Sequence, residues 1–228
     1  ESPDKVFNVG SLGIENIKRL ELLSKSDFEK AINFKLNKKN LLVTYHPVTL
    51  EKATAKQQFQ AILNALDELK DTNIIFTKSN SDTDGRIINQ MCEEYVQKNS
   101  SKSICFESMG QLRYLSALQY VDAVVGNSSS GIAEAPSFGI GTINIGDRQK
   151  GRIRVPSIVD CEPTQESIGK ALQILYSNEF QKNLNSIQNP YGDGDVSKKI
   201  LRIIKSTNFE NILKKKFYDI GFVNEVIE

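Results

Sequence analysis

The sequence is poor in the residues that build metal sites and disulfide frameworks. Its 228 residues include one histidine, three cysteines and no tryptophan. The cysteines, Cys92, Cys105 and Cys161, are odd in number and form no Cys-x-x-Cys pair, so neither a disulfide framework nor a zinc knuckle is expected. No compact acidic cluster offers the oxygen ligands that a hard metal ion would need instead. The sequence therefore predicts neither a metal site nor a bound cofactor.

An excess of one charge and a long apolar run are also missing. The 29 Lys and Arg residues nearly balance the 28 Asp and Glu residues, which leaves a net charge of +1 and argues against a nucleic-acid partner. No apolar run approaches the roughly 20 residues that span a bilayer, and the N-terminal residues lack the pattern of a signal peptide. We expect a cytoplasmic protein with no membrane partner. With 39% hydrophobic and 25% charged residues, the composition is that of one globular domain or two small ones.

From residue 40 onward, short β-branched runs alternate with segments of helical period. The runs are Leu41–Thr44, Asn73–Thr77, Ser103–Phe106, Ala123–Val125 and Thr142–Ile145, and the helical segments are about 51–70, 84–98, 110–119, 129–137 and 164–177. Nearly continuous apolar strands separated by helices indicate a parallel sheet that is covered on both faces. The sequence therefore predicts an α/β fold with a doubly wound, Rossmann-like parallel sheet.

Polar residues follow these runs at the points where ligands bind in such folds. They are His46, Asn80, Glu107 with Ser108, the segment 127–130, and Gly146-Asp147-Arg148. The carboxyl ends of parallel strands lie at one edge of the sheet, where a crevice forms. The alternative, that loops are polar in any protein, accounts equally well for any single one of these residues.

The two ends of the chain fit the alternating pattern less well. Residues 1–39 contain one apolar run, Val6–Val9, and two predicted helices, the second opened by a capping box at Ser26 and Glu29. Near the other end, one helical stripe contains Phe209, Ile212, Leu213, Phe217 and Ile220. An amphipathic helix must bury its stripe, either on this domain or on a partner.

The strongest local signal is the segment Gly126–Pro136, which contains three successive serines and follows a strand directly. Free backbone N–H groups and hydroxyls at a helix start attract an anion. Glu134 is predicted about one and a half turns inside this helix, where a carboxylate suits the vicinal hydroxyls of a ribose. The segment therefore favours a nucleotide diphosphate. Helix capping by Ser128 alone would explain one serine, but not three with the glycine.

The sequence lacks the common nucleotide-binding loops, and it places basic side chains near the serine segment. No GxxxxGK[ST] sequence is present, and Gly139-Ile140-Gly141 leads into a strand instead of a helix, which disfavours ATP and NAD. His46 could donate to a phosphate oxygen, although a lone histidine is more often a structural loop residue. Arg148 and Arg152 could neutralise a diphosphate or could belong to a solvated loop.

Three stretches carry a resemblance to a known family. They are Leu42–Thr49, Gly126–Pro136 and Asn144–Arg152. They resemble the C-terminal half of the UDP-N-acetylglucosamine 2-epimerases, and the similarity runs from about residue 6 to residue 205. Asn127-Ser128-Ser129-Ser130 stands where the non-hydrolysing branch has an Asp-Ser-Gly-Gly type sequence. This difference favours the hydrolysing branch, which serves sialic and legionaminic acid synthesis.

The resemblance implies half of a glycosyltransferase-B type fold that holds UDP and a UDP-2-acetamido sugar. It implies a catalytic role for His46 at the diphosphate, with Ser128 and Ser129 on the phosphates and Glu134 on the ribose. Arg148 and Asn80 would complete the UDP site, and the loop around Phe106 would face the uracil. The full-length enzyme would be a homodimer that eliminates UDP and hydrates the product to the 2-epimeric, N-acetylmannosamine-type sugar.

The family's N-terminal domain, which supplies acid and base residues, is not found in this sequence. We expect residues 1–39 to hold a hinge strand and linker helices, 40–206 the UDP-binding domain, and 207–228 a helix that packs on the other domain. Both ends should then be extended or poorly packed, and the chain alone should bind UDP weakly and turn over nothing. The alternatives are the nucleotide-binding half of a sugar transferase and a UDP-sugar binding module without catalysis.

Overall fold

The computed structural model describes residues 2–48, 54–80, 84–184, 186–192, 194–210, 213–214 and 217–219. These residues form one six-stranded sheet, whose strands are β1 (Lys39–Thr44), β2 (Thr72–Thr77), β3 (Ser103–Phe106), β4 (Ala123–Gly126), β5 (Gly141–Ile145) and β6 (Ile158–Cys161). Every neighbouring pair is parallel, and the order is β3-β2-β1-β4-β5-β6. The predicted doubly wound α/β fold is confirmed. The apolar pattern does not predict β6, because this short edge strand is only partly buried.

Helices lie on both faces of the sheet. They are α1 (Leu12–Arg19), α2 (Lys25–Ile32), α3 (Ala55–Asp67), α4 (Gly85–Lys98), α5 (Gly110–Ala117), α6 (Ser129–Ala133), α7 (Gln165–Leu175), α8 (Asn178–Leu184) and α9 (Val196–Ser206). Two 3₁₀ turns occupy Pro3–Lys5 and Ala135–Phe138. The helices α3, α4, α5 and α7 lie within the segments that the periodicity predicts. None of the described helices is both long and apolar enough to cross a bilayer.

The strands bury alternate residues in two separate apolar layers. Leu41 and Val43 of β1 pack in the layer beneath α3, α4 and α7, whereas Leu42 packs in the layer beneath α2 and α5. This alternation follows from the period of two in a strand. Each fully buried aliphatic or aromatic side chain contributes about 1.5–3 kcal/mol. The two layers fix the strands rigidly, and the strand-end loops are therefore held in place.

The predicted capping box of the second helix is wrong by two residues. Ser24, not Ser26, is the N-cap of α2, and its hydroxyl accepts a hydrogen bond from the Asp27 N–H at 3.2 Å. Glu29 instead accepts from the Leu36 N–H at 3.1 Å and pairs with Lys35. Ser24 also precedes an acidic residue, Asp27, by three positions, and its hydroxyl accepts the N3 backbone bond that a capping box requires.

The two ends of the chain meet at α1 and α9. The Glu15 carboxylate of α1 accepts from the Ser197 N–H at 2.6 Å and from the Ser197 hydroxyl at 2.5 Å, and so caps α9. Arg19 lies 3.2 Å from the same carboxylate. Residues 6–10 have no regular structure, and Val6 is 64% exposed. This clamp joins the segment before the sheet to the segment after it.

The described residues beyond α9 are not helical. Residues 207–210, 213–214 and 217–219 are in turns or lack regular structure, and Leu213 and Phe217 are 95% and 94% exposed. Ile212 and Ile220, two members of the predicted stripe, lie outside the described residues. The Leu213 and Phe217 side chains bury almost nothing on the sheet domain, and the packing of 207–228 on another domain stays a prediction.

Candidate functional site

The order in which the chain adds strands to the sheet reverses between β1 and β4. The chain passes outward from β1 through β2 to β3 and then returns to β4 on the other side of β1. Ligand crevices form at the carboxyl ends of the two strands that flank such a reversal. Gly126 ends β4 with φ +131°, and a Cβ atom there would lie 1.9 Å from the Thr44 carbonyl oxygen. Only glycine permits this close approach of the two strand ends.

Asn127 joins the two strand ends by hydrogen bonds. Its side-chain Oδ1 accepts from the His46 N–H at 2.8 Å, and its Nδ2 donates to the His46 carbonyl at 2.8 Å. Asn127 is fully buried. Its own carbonyl accepts from Gln149 Nε2 at 2.8 Å and from Arg148 Nη1 at 3.1 Å. Asn127 is therefore a structural connection that fixes His46 relative to the serine segment.

The His46 ring is oriented by the loop after β2. Its Nδ1 accepts from the Asn80 N–H at 3.1 Å and lies 3.3 Å from the Ser79 hydroxyl oxygen. Ser79 is held in turn by Asn89 of α4, whose Oδ1 accepts from the Ser79 N–H at 2.7 Å. Because Nδ1 accepts, the neutral ring carries its proton on Nε2. The half-buried imidazole is thus a positioned hydrogen-bond donor, and Asn80 contributes to the site through its backbone.

The helix that carries the serines is shorter than predicted. α6 ends at Ala133, and a 3₁₀ turn follows, because Pro136 has no N–H to continue the helix. Glu134 therefore lies at the junction between helix and turn, not one and a half turns inside a helix. The Ser130 hydroxyl donates to the Glu134 carboxylate. Ser128 is the N-cap and accepts from the Ser130 N–H at 3.3 Å.

The first turn of α1 lies against the Glu134 carboxylate. A Cβ atom added at Gly13 would lie 2.9 Å from Glu134 Oε1, which leaves no room for a larger residue without movement. The chain's N-terminal segment therefore helps to place this carboxylate.

One cavity of about 400 Å³ lies at this edge of the sheet. Two of the predicted site residues, His46 and Glu134, line it, whereas Ser128, Ser129, Asn80, Phe106 and Arg148 are not among its described lining residues. The other lining residues come from the ends of β1 and β2, the loop after β3, and α5: Thr44, Thr77, Lys78, Glu107, Ser108, Met109, Gly110, Gln111, Tyr114 and Leu115.

The remaining predicted residues surround this cavity in different ways. Phe106 is half-buried in the apolar layer beneath α2 and α5, and residues 107–111 after it form one wall of the cavity. Ser129 and Arg148 are exposed. Arg148 also brings its guanidinium to the loop that precedes Ser128. The structure thus gathers the histidine and glutamate directly and leaves the serines and the arginine beside them.

Tyr114 is a site residue that no sequence motif marks. Tyr114 lines the cavity, and burial raises the pKa of its hydroxyl to about 12, although the nearby Ser130 and Ser128 hydroxyls partly oppose this shift. Its oxygen has no hydrogen-bond partner of normal geometry among the described residues. A buried polar group without a partner in a native protein needs an explanation, and a ligand is one. Only the fold reveals it, by bringing α5 to the cavity that Glu134 faces.

The chemistry of this arrangement suits an anion joined to a polyol. The Nε2–H of His46, the Tyr114 hydroxyl and the exposed start of α6 are donors, and the Glu134 carboxylate is an acceptor. Because α6 has five residues, its free N–H groups matter more than its dipole. The described residues hold no group of three or more His, Cys, Asp or Glu side chains suited to a metal ion.

Comparison with known proteins identifies relatives over most of the chain. A family model described as UDP-N-acetylglucosamine 2-epimerase matches residues 1–205. The chain is 43% identical over 221 residues to a Campylobacter jejuni protein named GDP/UDP-N,N'-diacetylbacillosamine 2-epimerase (hydrolyzing). This match covers 96% of this chain and 57% of that protein. It is 31% identical to a Legionella pneumophila protein named UDP-N,N'-diacetylbacillosamine 2-epimerase (hydrolyzing), over 90% of this chain and 53% of that one. The chain thus spans about half the length of these relatives.

Solved structures share the fold. The match to a Staphylococcus aureus MnaA–UDP co-structure has a TM-score of 0.68 at 19% identity, and covers 96% of this chain and 59% of that one. A Methanocaldococcus jannaschii UDP-GlcNAc 2-epimerase in complex with UDP-GlcNAc and UDP matches with a TM-score of 0.67 at 19% identity, over 89% of this chain and 55% of that one.

Proposed function

The chain belongs to the hydrolysing branch of the UDP-N-acetylglucosamine 2-epimerase family, and from this membership we propose that it binds the UDP moiety of a UDP-2-acetamido sugar. The binding site is the crevice at the ends of β1 and β4. The observation that carries the proposal is that His46 and Glu134 line one cavity beside the serine-capped start of α6.

The diphosphate lies between His46 and the start of α6 in this proposal. The imidazole Nε2–H donates to one phosphate oxygen, and the hydroxyls and N–H groups at Ser128 and Ser129 donate to others. Arg148, which bonds to the Asn127 carbonyl, adds positive charge at the same end. Asn80 supports the site by orienting the His46 ring.

The nucleoside occupies the rest of the cavity. Glu134 has one oxygen bonded to Ser130 and accepts from the ribose hydroxyls with the other. The Tyr114 hydroxyl, which has no hydrogen-bond partner of normal geometry among the described residues, donates to the same part of the ligand. The wall formed by residues 107–111 after Phe106 faces the uracil, chiefly through backbone groups.

The reaction proposed for the full-length protein begins with elimination of UDP across C1 and C2 of the sugar. A base removes the C2 proton while the C1–O bond breaks, and water then adds to the resulting glycal to give the free 2-epimeric sugar. This chain supplies the second requirement, stabilisation of the departing diphosphate by His46 and its neighbours. We place the acid and base residues in a part of the enzyme outside these 228 residues, so the chain alone turns over nothing.

The domain organisation, assembly and location of the full-length protein complete the proposal. The exposed Val6 and Phe7 at one end, and Phe209 at the other, suit a surface covered by a second domain. We propose that residues 1–39 and 207–228 flank the UDP-binding domain 40–206 and contact the second domain. We also propose that the full-length protein is a cytoplasmic homodimer.

An assay of the full-length gene product with UDP-N,N'-diacetylbacillosamine and with UDP-N-acetylglucosamine tests this proposal. We expect UDP and a free sugar of inverted C2 configuration without any acceptor, and deuterium at C2 when the reaction is run in D₂O. Release of UDP only when an acceptor is added, with the sugar joined to that acceptor, would indicate a transferase instead. Binding of UDP-sugar without turnover would indicate a binding module. His46→Asn, in parallel, should lower turnover while leaving the fold unchanged.

A further inference from the structure

Two of the three cysteines lie side by side although they are far apart in the sequence. Cys92 of α4 and Cys105 of β3 have their Sγ atoms 3.0 Å apart, and both are free thiols. A disulfide requires about 2.05 Å between the sulfurs, so a relative shift of about 1 Å would bring them to bonding distance. Neither thiol belongs to the cavity described above.

The two thiols differ in their surroundings. Cys92 is buried, whereas Cys105 lies on an edge strand and is partly exposed to solvent. The hydrogen bond from Cys92 and the nearby Lys78 cation lower the pKa of Cys105. The bond to Cys105 and burial raise the pKa of Cys92. Glu93, which pairs with Lys78 at 2.5 Å, is the acidic group near both. Cys105 is therefore the thiol with more thiolate character and access.

We propose that Cys92 and Cys105 form a reversible intramolecular disulfide when the protein meets a peroxide oxidant. The Cys105 thiolate attacks one peroxide oxygen, which breaks the O–O bond, gives a sulfenic acid and releases hydroxide. The Cys92 thiol then attacks the Cys105 sulfur, the S–O bond breaks, and water leaves with the proton from Cys92. Two thiols and one hydrogen peroxide thus give one disulfide and two waters.

The third cysteine provides an internal control. Cys161 lies on β6, at the opposite edge of the sheet from β3, which five strand spacings of about 4.8 Å place roughly 24 Å away. Burial raises the pKa of its thiol to about 12. It has neither a partner thiol nor thiolate character, so mild peroxide should leave it reduced.

Thiol counting on the 228-residue chain tests the proposal without any activity assay. The reduced protein has three thiols in denaturant, and brief treatment with hydrogen peroxide should leave one, with a mass loss of about 2 Da and no added oxygen. Dithiothreitol should restore all three. A peptide map should show the tryptic peptides of Cys92 and Cys105 joined. Three remaining thiols, or a bond that includes Cys161, would overturn the proposal.

Variants make the assignment specific. Cys161→Ser should lose both of its thiols under the same treatment. Cys92→Ala should instead accumulate a sulfenic acid at Cys105 that dimedone traps, while Cys105→Ser should react at least about tenfold more slowly because the buried thiol is left. Equal reactivity of all three cysteines in the wild-type protein would contradict the proposal even if a variant fails to fold.

Discussion

Two glutamates show how this domain uses the same side chain for two purposes. Glu15 accepts two hydrogen bonds from Ser197 and pairs with Arg19, so its carboxylate is fully engaged within the chain. Glu134 accepts one hydroxyl from Ser130, and it faces a cavity. Polar groups that the protein satisfies serve its stability, whereas those left facing a cavity are available to a ligand.

The same contrast separates the residues within the crevice. Asn127 is fully buried and all of its side-chain bonds go to His46, so it resembles Glu15 although it lies beside the site. The Tyr114 hydroxyl is buried and has no hydrogen-bond partner of normal geometry among the described residues, so it resembles Glu134. We therefore expect substitutions of the groups bonded within the protein to lower its stability, and substitutions of the groups that face the cavity to weaken ligand binding.

Asn127→Ala should cause the largest loss. It removes both hydrogen bonds between the Asn127 side chain and the His46 backbone, at about 1–3 kcal/mol for each buried group, so we expect about 3 kcal/mol less unfolding free energy in urea. Asn127→Asp, which places a charged acceptor against the His46 carbonyl at a buried position, should be at least as unstable as Asn127→Ala. Equal stability of all three proteins would show that Asn127 does not join the strands.

Glu134→Ala should weaken UDP binding about 30-fold, which corresponds to about 2 kcal/mol for a hydrogen bond to a charged group. Its unfolding free energy should change little, because it holds few bonds within the chain. Glu15→Ala is the matched control, with lower thermal stability and unchanged UDP affinity in calorimetry. A Glu15→Ala protein that binds UDP weakly, together with a Glu134→Ala protein that binds UDP normally, would contradict these two roles.

Tyr114→Phe should weaken UDP binding about fivefold, since one neutral hydrogen bond contributes about 1 kcal/mol. Its stability should stay the same or rise, because a buried unpaired hydroxyl is removed. Tyr120→Phe serves as control, since the Tyr120 hydroxyl donates to the Leu23 carbonyl at 2.7 Å. That variant should be less stable and bind UDP normally. A stability loss in Tyr114→Phe would mean that its hydroxyl has a protein partner.

The smallest expected effect is the loss of stability when the pH is lowered. The hydrogen bonds from Ser197 lower the pKa of Glu15 below its ordinary value of 4.5. The contribution of Glu15 to the stability of the folded protein is therefore complete above pH 4.5 and is lost as the pH falls through the lower pKa of the folded state. Thermal unfolding scans should show that Glu15→Gln has lost this part of the acid dependence. Parallel pH profiles of the two proteins would contradict the role of Glu15.

The sequence predicts much of the fold and points to four residues that line the cavity. His46, Glu107 and Ser108 follow from the rule that polar residues after parallel strands meet at one edge, whereas Glu134 follows from the serine segment. Pro136 disfavours a continuous helix, yet the helical period predicts one helix over about 129–137, and α6 ends at Ala133. The connection through Asn127 and the approach of Tyr114 depend on distances between elements that no local pattern contains. Likewise, the adjacency of Cys92 and Cys105 arises only when α4 packs on β3.

Calorimetric titration of the 228-residue chain with UDP and with uridine would show whether the crevice holds a diphosphate. We expect saturable binding of UDP, weaker binding of uridine, and no measurable UDP binding in the double variant Ser128→Ala with Glu134→Ala. Equal affinity for UDP and uridine would show that the serines and His46 do not hold the diphosphate. Absence of UDP binding in the folded wild-type chain would contradict the assignment of the crevice as a nucleotide site.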